Sequence, residues 1–184
     1  MTNWIAVGVA VIVLLYVGGT FNTLVRLRYR VRDAWAQIDV QLKRRHDLIP
    51  NLVSAAKGYM EHEREVFEGV TRARQQAIAA GAKVNARAAA ETVLTQALRS
   101  LLAVIEAYPT LRASESILAL QEELSSAENR IAFARQFYND SVMEYNTACG
   151  TFPRNLLAAP LGFRPAPMFA LENAAERAAP QVQI

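Results

Sequence analysis

The pattern of apolar and polar positions divides the chain into an uncharged beginning, a long helical middle and a proline-broken end. From Met1 to Val25 there is no charged side chain. The apolar span Trp4–Val25 would reach roughly 33 Å as a helix, against a hydrocarbon core of about 30 Å. Apolar positions then continue at Leu24, Leu27, Val31, Trp35, Ile38 and Leu42. Steps of three and four put them on one helical face, so the first helix is expected to run from the membrane to about Arg45. A second stripe, Ile49, Leu52, Val53, Ala56, Met60, Phe67 and Val70, fades near Ala80, and Gly81 is a good helix stop. Between the stripes, Asp47 caps a new helix with Pro50 in its first turn, or Pro50 kinks a continuous one.

A third helix is expected from about Asn85, a candidate cap, to Ala107. Its stripe is Leu94, Leu98, Leu101 and Ile105, and Pro109 ends it. The fourth pattern is the clearest: Ile117, Leu120, Leu124, Ala127, Ile131, Ala134, Tyr138, Val142 and Tyr145. This is a coiled-coil-like seam with small residues at alternate positions. Ser114 is placed to cap it, and Gly150 and Pro153 end it. Short connections between long helices favour antiparallel packing. The expected fold class is therefore all-α: an N-terminal transmembrane helix continuing into an elongated antiparallel bundle of four long helices. The expected division is 1–25 as anchor, 26–150 as helical bundle, and 151–184 as an apolar strap with a disordered Ala-rich tail. Leu156, Leu157, Leu161, Phe163, Met168 and Phe169 make the strap apolar. It packs on its own bundle, or docks on a membrane or a second subunit.

Composition agrees with helix: only eight glycines and seven prolines occur, five of the prolines at or after Pro153. The net charge of +3 is too small to point to nucleic acid; its placement says more. The short N-terminal end carries no Lys or Arg, whereas Arg26, Arg28, Arg30 and Arg32 follow the apolar span. A cleaved signal peptide would have a basic start and a shorter apolar run. The charge step makes the span a single-pass anchor, with the N-terminus outside and the rest cytoplasmic. The four arginines form a membrane-interface group: they serve to stop transfer, or each adds about 1 kcal/mol of attraction to an anionic leaflet, and the first reading is preferred.

Candidate chemistry is sparse. His46, His62 and the lone Cys149 do not form a zinc motif, although His62 sits between Glu61 and Glu63. There is no Gly-rich phosphate loop, and Cys149 has no nearby His. No catalytic, cofactor or metal residues are assigned, and the protein is expected not to be an enzyme. Polar groups beside the stripes are better read as interhelical contacts. Arg45 lies on the first stripe, and Glu63 and Arg74 on the second. Gln121, Glu128 and Arg135 repeat at seven-residue spacing on the fourth helix. A charge there must be paired, and Arg135 is expected to meet Glu128 or Asp39.

Several blocks carry a wider likeness: Ala34–Arg45 (AWAQIDVQLKRR), Asp47–Val53 (DLIPNLV), Lys57-Gly58-Tyr59 and His62-Glu63. Further along are Tyr108-Pro109, Leu120-Gln121, Glu128–Asn139 (ENRIAFARQFYN), Tyr145-Asn146, Phe152-Pro153 and Gly162-Phe163. On these the sequence resembles the LemA family of bacterial membrane proteins over nearly its whole length. The resemblance implies an N-terminal membrane helix, an elongated cytoplasmic bundle and a part in membrane organisation. It implies no transferable enzymatic activity. The expected function is a self-associating helical scaffold of the bacterial inner membrane. The alternative is a tethered adaptor that recruits another protein. The expected partners are the lipid bilayer, further copies of the chain and an unidentified protein, with no nucleic acid. Self-association is motivated by the seam of the fourth helix, by small residues at Ala6, Ala10, Gly18 and Gly19 in the anchor, and by the strap.

Overall fold

A computed structural model describes residues 2–60 and 62–169. Its regular elements are α1 (Thr2–Lys57), α2 (Arg64–Ala79), α3 (Val84–Glu106), α4 (Pro109–Arg112), α5 (Glu115–Gly150) and α6 (Asn155–Ala158). The described residues are all-α, with no strand. The expected disordered tail falls outside them. The chain divides into two compact units, one of Met1–Gln41 with Ile131–Met168, the other chiefly of Leu42–Arg130.

The helix boundaries differ from expectation in the first half of the chain. The first helix does not stop near Arg45; of the two readings of Pro50 the cap at Asp47 fails and the continuous helix holds, with α1 running through Asp47 and Pro50 to Lys57. Pro50 has no N–H to give the carbonyl four residues back, which belongs to His46. That carbonyl instead accepts a hydrogen bond from Arg74 Nε at 2.7 Å. With the orphaned acceptor satisfied, the helix need not end there. The stop comes at Gly58, where the chain turns before α2. The second stripe has a gap there: between Met60 and Phe67 no apolar residue occupies the 63–64 step. The turn lets Met60 and Phe67 both be buried.

In the Leu42–Arg130 unit, Ile49 and Leu52 of α1, Val70 of α2, Leu94 and Leu101 of α3 and Ile117 of α5 share one core. Gly81 follows the Ala80 cap of α2 at φ +67, a left-handed conformation that suits glycine. Tyr108 is extended ahead of Pro109, as residues before proline prefer. Pro109 then opens the single turn α4, where its missing N–H costs nothing.

In the other unit, Leu24 and Leu27 of α1 meet Tyr145, Ala148 and Cys149 of α5. Ala158 and Phe163, from the segment after α5, close the cluster. Trp35 and Tyr138 stack at 5.4 Å between ring centroids. The strap is thus seated on its own chain, and polar bonds fix it. Asn146 pairs reciprocally with Ala166, donating from Nδ2 at 2.9 Å and accepting at Oδ1 at 2.8 Å. Tyr138 O–H donates to the Pro167 carbonyl at 2.9 Å.

Among the described residues two helices are long and apolar enough to cross a membrane, and burial separates them. Only 6% of the most apolar window of α1 is buried, against 33% for α3. The apolar side chains of α3 face the core. Those of early α1 are uncovered, Trp4 at 82% and Leu15 at 72%.

Candidate functional site

Two groups of charged residues stand out, one in each unit. The first follows the apolar segment of α1. Arg26, Arg28, Arg30 and Arg32 are all exposed. Arg30 donates to Glu144 Oε2 at 2.6 Å and lies 5.8 Å over the Phe137 ring. Both members of that ion pair are half-exposed, so it contributes less than about 1 kcal/mol. The Arg32 guanidinium rests 5.7 Å over Tyr29.

The second group is buried. Arg45 is 2% exposed, His46 4% and Glu91 2%. Two consecutive residues of α1 reach the same partner: Arg45 Nη2 donates to Glu91 Oε2, and His46 Nε2 lies 2.9 Å from Glu91 Oε1. Arg45 Nη1 also meets Glu128 Oε2 and Thr95 Oγ1, each at 3.1 Å. Burial pushes Glu91 upward. The hydrogen bond to His46 and the charge of Arg45 outweigh it and hold the carboxyl below its ordinary value. Among the described residues the buried Arg45 Nε has no hydrogen-bond partner, so the guanidinium is held by its two terminal nitrogens. Arg74 closes the group from α2 through the His46 carbonyl.

The polar residues singled out from the sequence fall as follows. Arg45 and Glu128 are in contact, with Glu128 half-exposed at the edge. Glu63 accepts from Tyr108 O–H at 3.3 Å; desolvation and the adjacent Glu63 both raise the Tyr108 hydroxyl pKa. Arg135 is half-buried on α5. Sequence reasoning missed Glu91, the hub, and weighed His46 only as a metal ligand, a role it did not assign. The signal was present, since Glu91 lies three residues before Leu94 and seven before Leu98, on the stripe of α3.

The network is suited to fixing helix register, since its side chains tie α1 to α3 and α5. The one thiol, Cys149, lies in the other unit, where burial pushes its pKa up. Among the described residues no group of three or more His, Cys, Asp or Glu is placed to hold a metal ion.

Comparison with known proteins adds relatives. Magnetosome protein MamQ 2 of Paramagnetospirillum magneticum is 26% identical over 174 residues, covering 81% of this chain and 64% of that protein. Magnetosome protein MamQ of Magnetospirillum gryphiswaldense is 26% identical, covering 78% of this chain and 62% of the relative. Protein LemA of Metamycoplasma hominis is 25% identical over 147 residues, 80% of this chain and 67% of its own length. The chain therefore spans less than two thirds of the magnetosome relatives. The LemA family model matches residues 34–184, from the start of the AWAQIDVQLKRR block through the charged network and the strap, and the chain belongs to the LemA family.

Proposed function

We propose that the protein is a self-associating helical scaffold of the bacterial inner membrane. Its N-terminus lies outside, and its helices pack as an antiparallel cytoplasmic bundle. The observation that carries the anchoring is the apolar surface of early α1, which none of the other described residues buries. A run of side chains such as Trp4, Ile12 and Leu15 is costly to leave in water and is covered by a bilayer instead. The arginine step after the span orients it. That relatives of the chain are named magnetosome proteins supports a membrane-associated role. The reading includes no catalytic step, cofactor or nucleic-acid partner.

Self-association rests on fewer surfaces than the sequence offered. The seam of α5 lies inside the chain: Ile117, Leu124, Ile131, Tyr138, Val142 and Tyr145 are all buried. The strap is seated on its own helices. The small residues of the anchor remain, with open space around Gly18 and Gly19. Phe133 and Phe137 also point outward one turn apart, Phe133 at 73% exposure. The same Phe133 favours a second reading, a tethered adaptor that docks another protein there. Mass measurement of the full-length protein in mild detergent tests the choice, beside a chain starting at Arg26. The scaffold predicts oligomers that the shortened chain loses. A monomer over a wide concentration range would leave the adaptor.

A further inference from the structure

We propose that the α1 face formed by Phe21, Val25, Arg28 and Arg32, together with Leu161 and Phe163 of the strap, binds one anionic phospholipid of the surrounding bilayer. The inference rests on the reading of α1 as a membrane anchor. These residues, with Tyr29, line a cavity of about 340 Å³, at the small end of the range for ligand sites. That volume suits a headgroup and the first part of an acyl chain.

The lining is graded in the order a lipid requires. Positions 21, 25, 28 and 32 step by four, three and four, so they share one face of α1. At 1.5 Å per residue, Arg28 lies about 10 Å and Arg32 about 16 Å beyond Phe21 along the helix. Apolar side chains thus stand on the membrane side and two guanidinium groups on the far side. The second wall is built by the strap. Phe163 is buried and meets Phe21 edge to face at 5.8 Å. The Asn146–Ala166 pair and the Tyr138–Pro167 bond hold the strap in place.

The charges are available for such a ligand. Arg30 does not line the cavity and is committed to Glu144. Among the described residues neither Arg28 nor Arg32 forms an ion pair. Guanidinium groups are well matched to phosphate oxygens. A diffuse attraction to an anionic leaflet would need no walls and would not saturate. A cleft with an apolar end and a cationic end should hold one lipid and discriminate by headgroup charge.

The test uses the full-length protein in a mild neutral detergent, with phosphatidylglycerol or phosphatidylcholine titrated in and bound lipid counted by native mass spectrometry. The expected result is one retained phosphatidylglycerol per chain, favoured over phosphatidylcholine about tenfold or more. R28Q/R32Q should abolish the preference. L161N alters one partly exposed wall residue without changing charge, and it should weaken retention several-fold. Circular dichroism should show both variants as helical as the wild type. Equal retention of the two lipids would overturn the site, as would an L161N protein that binds like wild type, because diffuse electrostatics would then suffice. Displacement of the lipid by millimolar inorganic phosphate would also overturn it, by showing a free-anion site. Alkaline carbonate wash of membranes separates the two layers of the reading. Release of the wild-type protein overturns the anchor and the site together, whereas retention with equal lipid binding overturns the site alone.

Discussion

The passage of α1 through Pro50 makes a quantitative claim about Arg74. If Arg74 Nε replaces the N–H that Pro50 lacks, the two residues must be energetically coupled through the His46 carbonyl. Arg74→Met keeps most of the side-chain stem but removes the donor. A hydrogen bond from a charged donor contributes about 1.5–3 kcal/mol, and a carbonyl left unpaired adds to the loss. Arg74 is half-buried, so the lower half of that range applies, about 2 kcal/mol. Pro50→Ala restores an N–H at hydrogen-bonding distance from the same carbonyl. In that background R74M should cost about 0.5 kcal/mol, since the acceptor keeps one partner, leaving a coupling of about 1.5 kcal/mol. Pro50→Ala alone should be neutral or stabilising, because a proline inside a helix removes a backbone bond. The four proteins would be unfolded with denaturant in a fixed mild detergent and followed by circular dichroism. Equal costs for R74M in both backgrounds would refute the account: Arg74 would then act through packing or another partner.

Three further outcomes are expected. Glu91→Gln leaves Arg45 buried without its main counter-charge and should cost about 3 kcal/mol, the lower end for a broken buried pair because Glu128 remains; a denaturant midpoint matching wild type would refute it. The Glu91 carboxyl titrates below its ordinary value of 4.5, so its contribution is complete above that pH and is lost as pH falls through the lower folded value. Stability measured against pH should therefore fall less steeply on the acid side in E91Q than in wild type. Asn146→Ala removes both bonds to Ala166 and should loosen the strap, seen as faster proteolysis between Leu156 and Met168 with the helical signal retained. Reporter fusions at Gly81 and at the C-terminus should both read cytoplasmic, and a periplasmic signal from either would sink the proposed topology.

What was legible in the sequence follows from what periodicity can report. The stripes of α3 and α5 named faces whose residues are buried, because a three-and-four spacing of Leu and Ile has little other use in water. The uncharged run before Arg26 announced a helix long and apolar enough to span. The end of α1 was harder to read, since Pro50 looks like the strongest punctuation in that stretch. What decides whether a proline breaks a helix is whether the orphaned carbonyl finds a donor, and here the donor comes from Arg74, twenty-four positions later. The gap in the stripe between Met60 and Phe67 was the better signal, because a continuous helix would have left residues 63–64 polar on the buried face. Glu91 was overlooked for a related reason. A charged residue on an apolar stripe reads as a blemish until its partners are known, yet its placement in register with Leu94 and Leu98 meant that it had to be neutralised inside. Two adjacent residues of α1 meet it there, Arg45 with a guanidinium charge and His46 with a hydrogen bond. Periodicity also says that a face is covered without saying by what. The seam of α5 looked like surplus contact surface for a second subunit, and the apolar strap looked free to reach a neighbour. Both are satisfied within the chain, the strap by an asparagine that pairs with backbone on both sides, a bond type with no spacing signature. The proposed self-association therefore rests on surfaces that no stripe announces: the glycines of the anchor and the outward pair Phe133 and Phe137.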